Sequence, residues 1–159
     1  MILVLLGTQN NSFHRLLEEI DKKAEEGLIA DEIIVQEGFT KYNSVNLKIF
    51  KALPKEKYED LITKANFIIT HGGLGSIEDS LKRGKRVIAV ARHKKYGEHV
   101  NDHQTEIVKK FNEKGYLIGI EEVSELEDAI KKIRTFKPVK YERDSTKMIE
   151  VIKNFIENN

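Results

Sequence analysis

The stretch FIITHGGLGSIEDSLKRGKRVIAV, residues 67–90, decides the fold. An apolar run of strand length breaks at a glycine-rich turn, continues as an amphipathic segment of helical length and ends in a second apolar run. Short apolar runs that are joined by helical segments are typical of parallel strands with crossover helices. The stretch therefore predicts a β-α-β unit with a glycine-rich loop where its first strand ends.

The same alternation continues along the whole chain. Strands are predicted near residues 2–6, 32–36, 47–50, 66–70, 86–90 and 116–119. Helices are predicted near 12–26, 54–64, 75–84, 101–114, 123–134 and 145–157. The pattern predicts an α/β fold, a Rossmann-like parallel sheet with helices on both faces. Residues 1–134 are expected to form this domain, and residues 135–159 a linker and a C-terminal helix.

The composition limits the function classes. The length of 159 residues fits one domain, and 27 basic against 26 acidic side chains give a net charge of +1, which argues against nucleic acid as the main partner. The chain has no cysteine, which excludes disulfides and thiolate metal sites and agrees with a reducing cytosolic setting. The opening run MILVLL is too short for a signal peptide or a membrane span and is interpreted as a buried first strand.

Three loops follow predicted strands, at the sheet edge where such folds bind ligands: GTQNNS, HGGLGS and ARHKKYGEHVNDHQ. In the second loop, Gly72, Gly73 and Gly75 would permit positive φ and close approach of a ligand, and a helix beginning near Ser76 would offer free N–H groups to an anion. The alternative is that these glycines serve only the turn. The loop fits neither the dinucleotide nor the P-loop fingerprint.

The third loop and its approach are basic, with seven Lys and Arg residues and no acid between Lys82 and Lys95. These charges either form a solvated face or attract a phosphorylated substrate or an anionic membrane. His99 and His103 stand four apart and could share a helix face, but the metalloprotease motif is absent and no metal site is predicted. Gln104 could meet sugar hydroxyls, while Asn101 or Asp102 could instead cap a helix.

Several of these motifs resemble a known family. ITHGGLGS, GKRVIAV and YGEHVNDHQTEI are similar, in order and spacing, to the C-terminal, nucleotide-sugar-binding half of family 28 glycosyltransferases. VLLGTQNNSFHRLLEEID resembles the opening of the small single-domain subunits of that family, the Alg13 and PssE types, so that the likeness covers roughly residues 1–130. The resemblance implies one half of a metal-independent GT-B enzyme that needs no cofactor besides its UDP-sugar donor.

The resemblance also implies donor-site residues. They are Gly7, Thr8, His71, Gly72, Gly73, Leu74, Gly75, Ser76, Asp79, Arg92, His103 and Gln104. Residues 72–76 would cradle the diphosphate, and Gln104 would meet the donor sugar. Asp79 stands where the family usually has a ribose-binding Glu. Arg92, Lys94 and Lys95 are candidate cations for the leaving diphosphate.

The general base is left unassigned, with His14 as a possible contributor and a surface or packing role as its alternative. The implied activity is sugar transfer from a UDP-sugar to a lipid-linked acceptor, in the synthesis of lipid-linked glycan or exopolysaccharide. A membrane-associated subunit of the Alg14 or PssD type would hold the acceptor, so that this chain would be cytoplasmic and peripheral at the membrane.

Two other classes are weighed against this one. One is a nucleotide-binding regulatory module without catalytic activity of its own. The other is an NAD(P) oxidoreductase, which is disfavoured because the first loop carries only Gly7 and lacks the dinucleotide fingerprint.

Overall fold

A computed structural model describes residues 1–142 and 146–158. Its centre is a six-stranded parallel sheet in the order β3-β2-β1-β4-β5-β6. The strands are β1 Ile2–Leu5, β2 Ile33–Gln36, β3 Leu47–Phe50, β4 Phe67–His71, β5 Val87–Val90 and β6 Ile118–Ile120. All six predicted strands are present, and the Rossmann-like fold is confirmed.

The helices also follow the prediction, with ends that move by a few residues. They are α1 His14–Glu25, α2 Lys55–Lys64, α3 Leu74–Lys82, α4 His103–Glu113, α5 Leu126–Ile133 and α6 Thr146–Asn158, with short 3₁₀ turns at Lys94–Tyr96 and Val123–Glu125. The helix of the opening stretch, α3, begins at Leu74, which places Gly75 and Ser76 inside its first turn.

Helices cover both faces of the sheet because alternate strand residues point to opposite sides. On one face, Ile2 and Val4 of β1 pack in a buried cluster with side chains of α1 and α5. On the other face, Leu3 and Leu5 share a cluster with side chains of α2, α3 and α4. The buried strands β1 and β5 are therefore apolar throughout, as the continuous apolar runs of the sequence predict, whereas the buried strand β4 ends in the polar Thr70 and His71.

The C-terminal segment packs on the second face. The N–H of Val139 donates to the Gly115 carbonyl at 2.9 Å, and the ring of Tyr141 stacks on Phe111 with centroids 6.1 Å apart. Ile152 of α6 is 4% exposed and belongs to the same apolar cluster. The side chains of Met148 and Ile149, which the sequence pattern also places on the apolar face of this helix, lie outside the described part of the structure.

The strand order creates a crevice at the carboxyl ends of the strands. β1 lies between β2 and β4, so the chain leaves β1 toward one sheet edge and later returns to β4 on its other side. The loops after β1 and β4 consequently run apart and leave room at the carboxyl ends of these strands. In the described residues, each helix falls short of the length and apolar character that a membrane span requires.

Candidate functional site

A cavity of about 560 Å³ opens at this crevice. Its walls come from the loop after β1, the end of β2, the β3–α2 connection and the first two turns of α3. The lining residues are Gly7, Thr8, Gln9, Gln36, Leu53, Lys55, Tyr58, His71, Gly73, Gly75, Ser76 and Asp79. The cavity thus lies where the fold class predicts a ligand.

Seven of the sequence-predicted donor-site residues line this cavity: Gly7, Thr8, His71, Gly73, Gly75, Ser76 and Asp79. Five others do not: Gly72, Leu74, Arg92, His103 and Gln104. The first and second predicted loops therefore meet at the cavity, whereas the third loop contributes none of its lining residues. The roles of these residues in donor binding stay predictions.

The expectation of positive φ in the HGGLGS loop is wrong. Gly73 has φ −73°, and neither Gly72 nor Gly75 is among the glycines with positive φ. The site glycine with a left-handed backbone is instead Gly7, with φ +71°.

Space, rather than backbone conformation, explains two glycines of the loop. A Cβ on Gly73 would lie less than 3.0 Å from ring atoms of His71, as would a Cβ on Gly7. A Cβ on Gly72 would come to 2.9 Å from the Cβ of Gln104. The glycines at 7 and 73 therefore leave room for the imidazole, and Gly72 lets α4 approach the loop.

The N-terminus of α3 opens into the cavity. The N–H groups of its first turn have no carbonyl partner within the helix, and the first helical bond runs from the Ile77 N–H to the Gly73 carbonyl at 3.1 Å. Gly75 and Ser76 of this turn line the cavity, and a Cβ on Gly75 would meet nothing within 4 Å. Free N–H groups and the positive end of the helix dipole give this wall an electrostatic preference for an anion.

His71 ends β4 and is 6% exposed. Its Nδ1 lies 3.2 Å from the Nε2 of Gln104, and its Nε2 lies 3.4 Å from the Ser76 hydroxyl. Burial, with a smaller contribution from the charge of Arg92, lowers the pKa of His71 to about 3. The imidazole is therefore neutral at pH 7 and carries one N–H.

Gln104 lies behind His71, on the first turn of α4, and is 4% exposed. Its Oε1 accepts the N–H of Gly72 at 3.0 Å and the N–H of Arg92 at 3.1 Å. The predicted sugar contact requires this side chain in the cavity, and the structure instead places it between two strand ends and the imidazole.

Asp79 points into the cavity from the second turn of α3. The Tyr58 hydroxyl donates to one of its carboxylate oxygens at 2.6 Å, and the Nε of Arg83 donates to the other at 3.1 Å. Burial, followed by the hydrogen bond to Asp79, raises the pKa of the Tyr58 hydroxyl. The neighbouring Glu78 pairs instead with Lys82 at 2.5 Å. Asp79, and not Glu78, therefore lines the cavity.

Sequence reasoning missed five lining residues: Gln9, Gln36, Leu53, Lys55 and Tyr58. Three of them belong to the β3–α2 connection and to α2 itself. The sequence does carry a signal for these residues, because they lie at or after the ends of predicted strands. In a parallel sheet, the carboxyl ends of all strands lie at the same edge. Among them, Lys55 brings a cation to the cavity.

The basic run does not form a single face. Lys82 and Arg83 pair with acids of their own helix, at 2.5 Å and 3.1 Å. Lys85 and Arg86 precede β5, at the sheet edge opposite the cavity, where they donate to backbone carbonyls. Lys95 pairs with Glu122 at 3.1 Å. The predicted attraction of one phosphorylated substrate by the whole run is therefore not supported by its layout.

Arg92 supports the first loop from behind. It is 1% exposed, and its guanidinium donates to the carbonyls of Leu6, Asn11 and Glu98 at 2.7–3.1 Å. The Asn11 side chain in turn donates to the Gly97 carbonyl at 3.0 Å. The third loop thus packs against the first, and Arg92 holds backbone in place rather than facing the cavity.

The histidines after β5 do not share a helix face, contrary to one expectation. α4 begins at His103, whose ring contacts Phe155 of α6 with centroids 5.9 Å apart, whereas His99 precedes the helix. Within residues 1–142 and 146–158, no three His, Cys, Asp or Glu side chains are grouped closely enough to hold a metal ion.

His14 lies outside the main cavity. Its side chain is 50% exposed and contacts Glu18 at 3.0 Å. It lines a second cavity of about 510 Å³ with Glu37, Lys41, Tyr42 and Asn43. A contribution of His14 to proton transfer stays a prediction.

The sequence pattern of the glycosyltransferase family 28 C-terminal domain matches residues 1–158. The chain belongs to this family. The human UDP-N-acetylglucosamine transferase subunit ALG13 is 29% identical over 105 residues, which are 66% of this chain and 8% of that protein. The protein of the same name from Candida glabrata is 35% identical over 68 residues, 42% of this chain and 32% of that protein. Each match thus spans less than a third of the relative's own length.

Solved structures share the fold of this family 28 domain. The NMR solution structure of ALG13 superposes with a TM-score of 0.65 and 19% identity, over 92% of this chain and 93% of the other. CalG4, the calicheamicin glycosyltransferase, gives 0.56 and 18%, over 84% of this chain and 33% of that enzyme. The glycotransferase of kitacinnamycin gives 0.55 and 16%, over 84% and 34%.

Proposed function

We propose that this family 28 domain binds a UDP-sugar in the 560 Å³ cavity and acts as the donor half of a glycosyltransferase. The observation that carries the proposal is the N-terminus of α3, whose first turn opens into the cavity at the point where the strand order reverses. A helix N-terminus at this place favours a diphosphate.

The cavity provides what the departure of a diphosphate requires. Sugar transfer leaves negative charge on the UDP, and fixed donors that face this charge lower the barrier. Here the donors are the N–H groups of the first turn of α3, the Ser76 hydroxyl and the neutral imidazole of His71. Lys55, which also lines the cavity, adds a positive charge. These groups would supply the stabilisation for which other enzymes use a metal ion.

The acid on α3 suits the ribose of the nucleotide. Asp79 is one methylene shorter than the Glu that the family resemblance leads one to expect, and Tyr58 holds its carboxylate at 2.6 Å. A fixed carboxylate can accept hydrogen bonds from the hydroxyl groups of a ribose diol, and the phenolic oxygen, whose proton goes to Asp79, can accept a further one. Asp79 and Tyr58 together would therefore take the place of that Glu.

The names of the relatives suggest N-acetylglucosamine as the transferred sugar. By the family resemblance, the acceptor would be lipid-linked and would be held by a membrane-associated partner of the Alg14 or PssD type. The chain would then work in the cytoplasm, at the membrane surface, and would need no metal or further cofactor.

Isothermal titration calorimetry with UDP, UDP-N-acetylglucosamine and uridine tests the donor site. We expect UDP to bind at least about tenfold more tightly than uridine, since each hydrogen bond to a charged group contributes roughly 1.5–3 kcal/mol. Equal affinities for UDP and uridine, or a preference for NAD, would contradict the proposal.

Two variants at one position separate charge from bulk. Gly75→Glu places a negative charge in the first turn of α3, where it favours the helix but repels a phosphate, and Gly75→Gln adds nearly the same volume without charge. We expect Glu to weaken UDP binding far more than Gln does, with similar uridine binding in both. If the two variants bind UDP equally, the phosphates do not lie at α3.

A further inference from the structure

We infer that Gln104 is a positioning residue: its side-chain amide fixes the tautomer of His71, so that the imidazole presents its Nε2–H to the cavity. The identity of the group that receives this hydrogen bond, a phosphate of the donor, rests on the proposed function. The tautomer itself is a property of the free protein.

The backbone determines the orientation of the Gln104 amide. Two N–H groups, those of Gly72 and Arg92, point at the same side-chain atom from 3.0 Å and 3.1 Å. Only the carbonyl oxygen of the amide can accept both, so the NH₂ group must lie on the other side. That side faces Nδ1 of His71 at 3.2 Å.

A donor opposite Nδ1 decides where the imidazole carries its proton. An NH₂ group can only donate, so Nδ1 must offer its lone pair, and the single proton of a neutral ring then resides on Nε2. A protonated ring would set an N–H against an N–H. The burial of both side chains, at 6% and 4% exposure, keeps water from taking over either role.

His71 lines the cavity, and its Nε2 packs between two glycines that also line it. A Cβ on Gly7 or on Gly73 would lie less than 3.0 Å from Nε2. The Ser76 hydroxyl, on the first turn of α3, is 3.4 Å away. The Nε2 of His71 therefore lies next to the first turn of α3 in the cavity wall, and Gln104 acts on this part of the wall through His71.

This role differs from the sugar contact that the family resemblance implies for Gln104. Gln104 does not line the cavity, and its oxygen is already occupied by two backbone groups. The residue also bridges β4 and β5, since Gly72 follows the former and Arg92 the latter. The Gln104 amide thus contacts the ends of two strands and the imidazole of His71 at the same time.

Imidazole ¹H–¹⁵N correlation spectra of the ¹⁵N-labelled chain test the inference. His71→Asn identifies the resonances of His71, and we expect its Nε2 to be protonated and its Nδ1 unprotonated in the wild type. Gln104→Glu keeps two acceptor oxygens for Gly72 and Arg92 but offers Nδ1 an acceptor in place of a donor. In that variant we expect the proton to appear on Nδ1.

Binding measurements test whether the tautomer of His71 affects the affinity for UDP. Gln104→Glu should weaken UDP binding by about tenfold or more, the value of one hydrogen bond to a charged group, and should leave uridine binding within about twofold. Asn112→Asp is the matched control, because it makes the same amide-to-carboxylate change on α4 and its oxygen also accepts a backbone N–H, that of Gly119 at 2.9 Å. It should leave the His71 spectrum and UDP binding unchanged.

A wild-type spectrum with the proton on Nδ1 would overturn the inference, and this measurement needs no variant to fold. An unchanged tautomer in a folded Gln104→Glu protein would overturn it as well. A changed tautomer with unchanged UDP affinity would show that His71 does not donate to the phosphates. If the wild type binds no UDP, the proposed function fails, while the spectra still decide the role of Gln104.

Discussion

His71 is the residue around which the site is built. Gly7 and Gly73 leave space for its ring, and Gln104 contacts it from behind. A neutral buried imidazole can donate to an anion without first losing or gaining a proton near pH 7. Its burial also carries a cost that depends on pH.

Acid should destabilise the protein through His71. Its pKa is lowered from an ordinary 6.5 to about 3 by burial first and by the Arg92 charge second. The unfolded chain therefore binds more protons below pH 6.5, so stability is fully present above this pH and is lost as the pH falls toward 3. Urea unfolding should show wild type losing about 2 kcal/mol more than His71→Asn between pH 7 and pH 5. Parallel losses in both proteins would contradict the burial of a neutral ring.

The sequence predicted which residues flank the cavity better than it predicted what they do. HGGLGS stood out because three glycines at a strand end exceed the needs of a turn. Gly7 and Gly73 are needed because the His71 ring packs between loops that follow two different strands. A local sequence pattern does not contain this contact between distant segments. The sequence also could not show that Arg92 faces carbonyls behind the first loop, since charge alone does not give direction.

Helix α3 separates the two roles of its glycines. Gly73 stands before the helix, beside a ring that Gln104 prevents from moving away, while Gly75 lies in the first turn with open space around it. Gly73→Ala should lower the free energy of unfolding by about 1–3 kcal/mol, because its Cβ overpacks the site. Gly75→Ala should leave it unchanged or raise it by up to about 1 kcal/mol, because alanine favours the helix. Urea denaturation of both variants measures the difference.

An equal loss of unfolding free energy in the two alanine variants would show that the His71 ring can shift to make room for a Cβ at position 73. A larger loss in Gly75→Ala would mean that its backbone, and not the neighbouring space, requires glycine. The m-value should stay at the wild-type level in both variants, because neither change alters the surface that unfolding exposes.

The loops illustrate what a pattern of elements can predict. Every strand and helix was expected from apolar runs and helical periodicity, and every carboxyl end was expected at one edge. The sequence pattern did not predict the order of the strands. This order places β1 beside β4 and the third loop away from the cavity. Lys55 and Tyr58 enter the site for the same reason, since the β3–α2 connection faces the crevice from the other side.

The molecule as a whole presents its cavity at one edge of the sheet. Its walls are the loop after β1, the end of β2, the β3–α2 connection, the end of β4 and the first two turns of α3. In the proposed function, these walls hold the donor and not the acceptor. In CalG4 and the kitacinnamycin glycotransferase, a domain of this fold corresponds to 33% and 34% of a longer chain. Binding and transfer can therefore be tested separately on these 159 residues.

We expect the purified chain to bind UDP-N-acetylglucosamine and to transfer no sugar by itself, because catalysis at a cleft requires an acceptor and a base opposite the donor. The assay measures transfer of radiolabel from UDP-N-acetylglucosamine to lipid-linked acceptors in detergent. It is run with and without a candidate membrane-associated subunit of the Alg14 or PssD type from the same genome. Radiolabelled lipid should appear only when both chains are present.

The Gly75→Glu variant shows which chain holds the donor in that assay. With the partner present, the variant should lose transfer while Gly75→Gln retains a measurable part of it, since only the former repels the diphosphate. Full transfer with Gly75→Glu would place the donor site on the partner. Robust transfer by the wild-type chain alone would show that the acceptor site and the base lie within these residues, and that the two-subunit proposal is wrong.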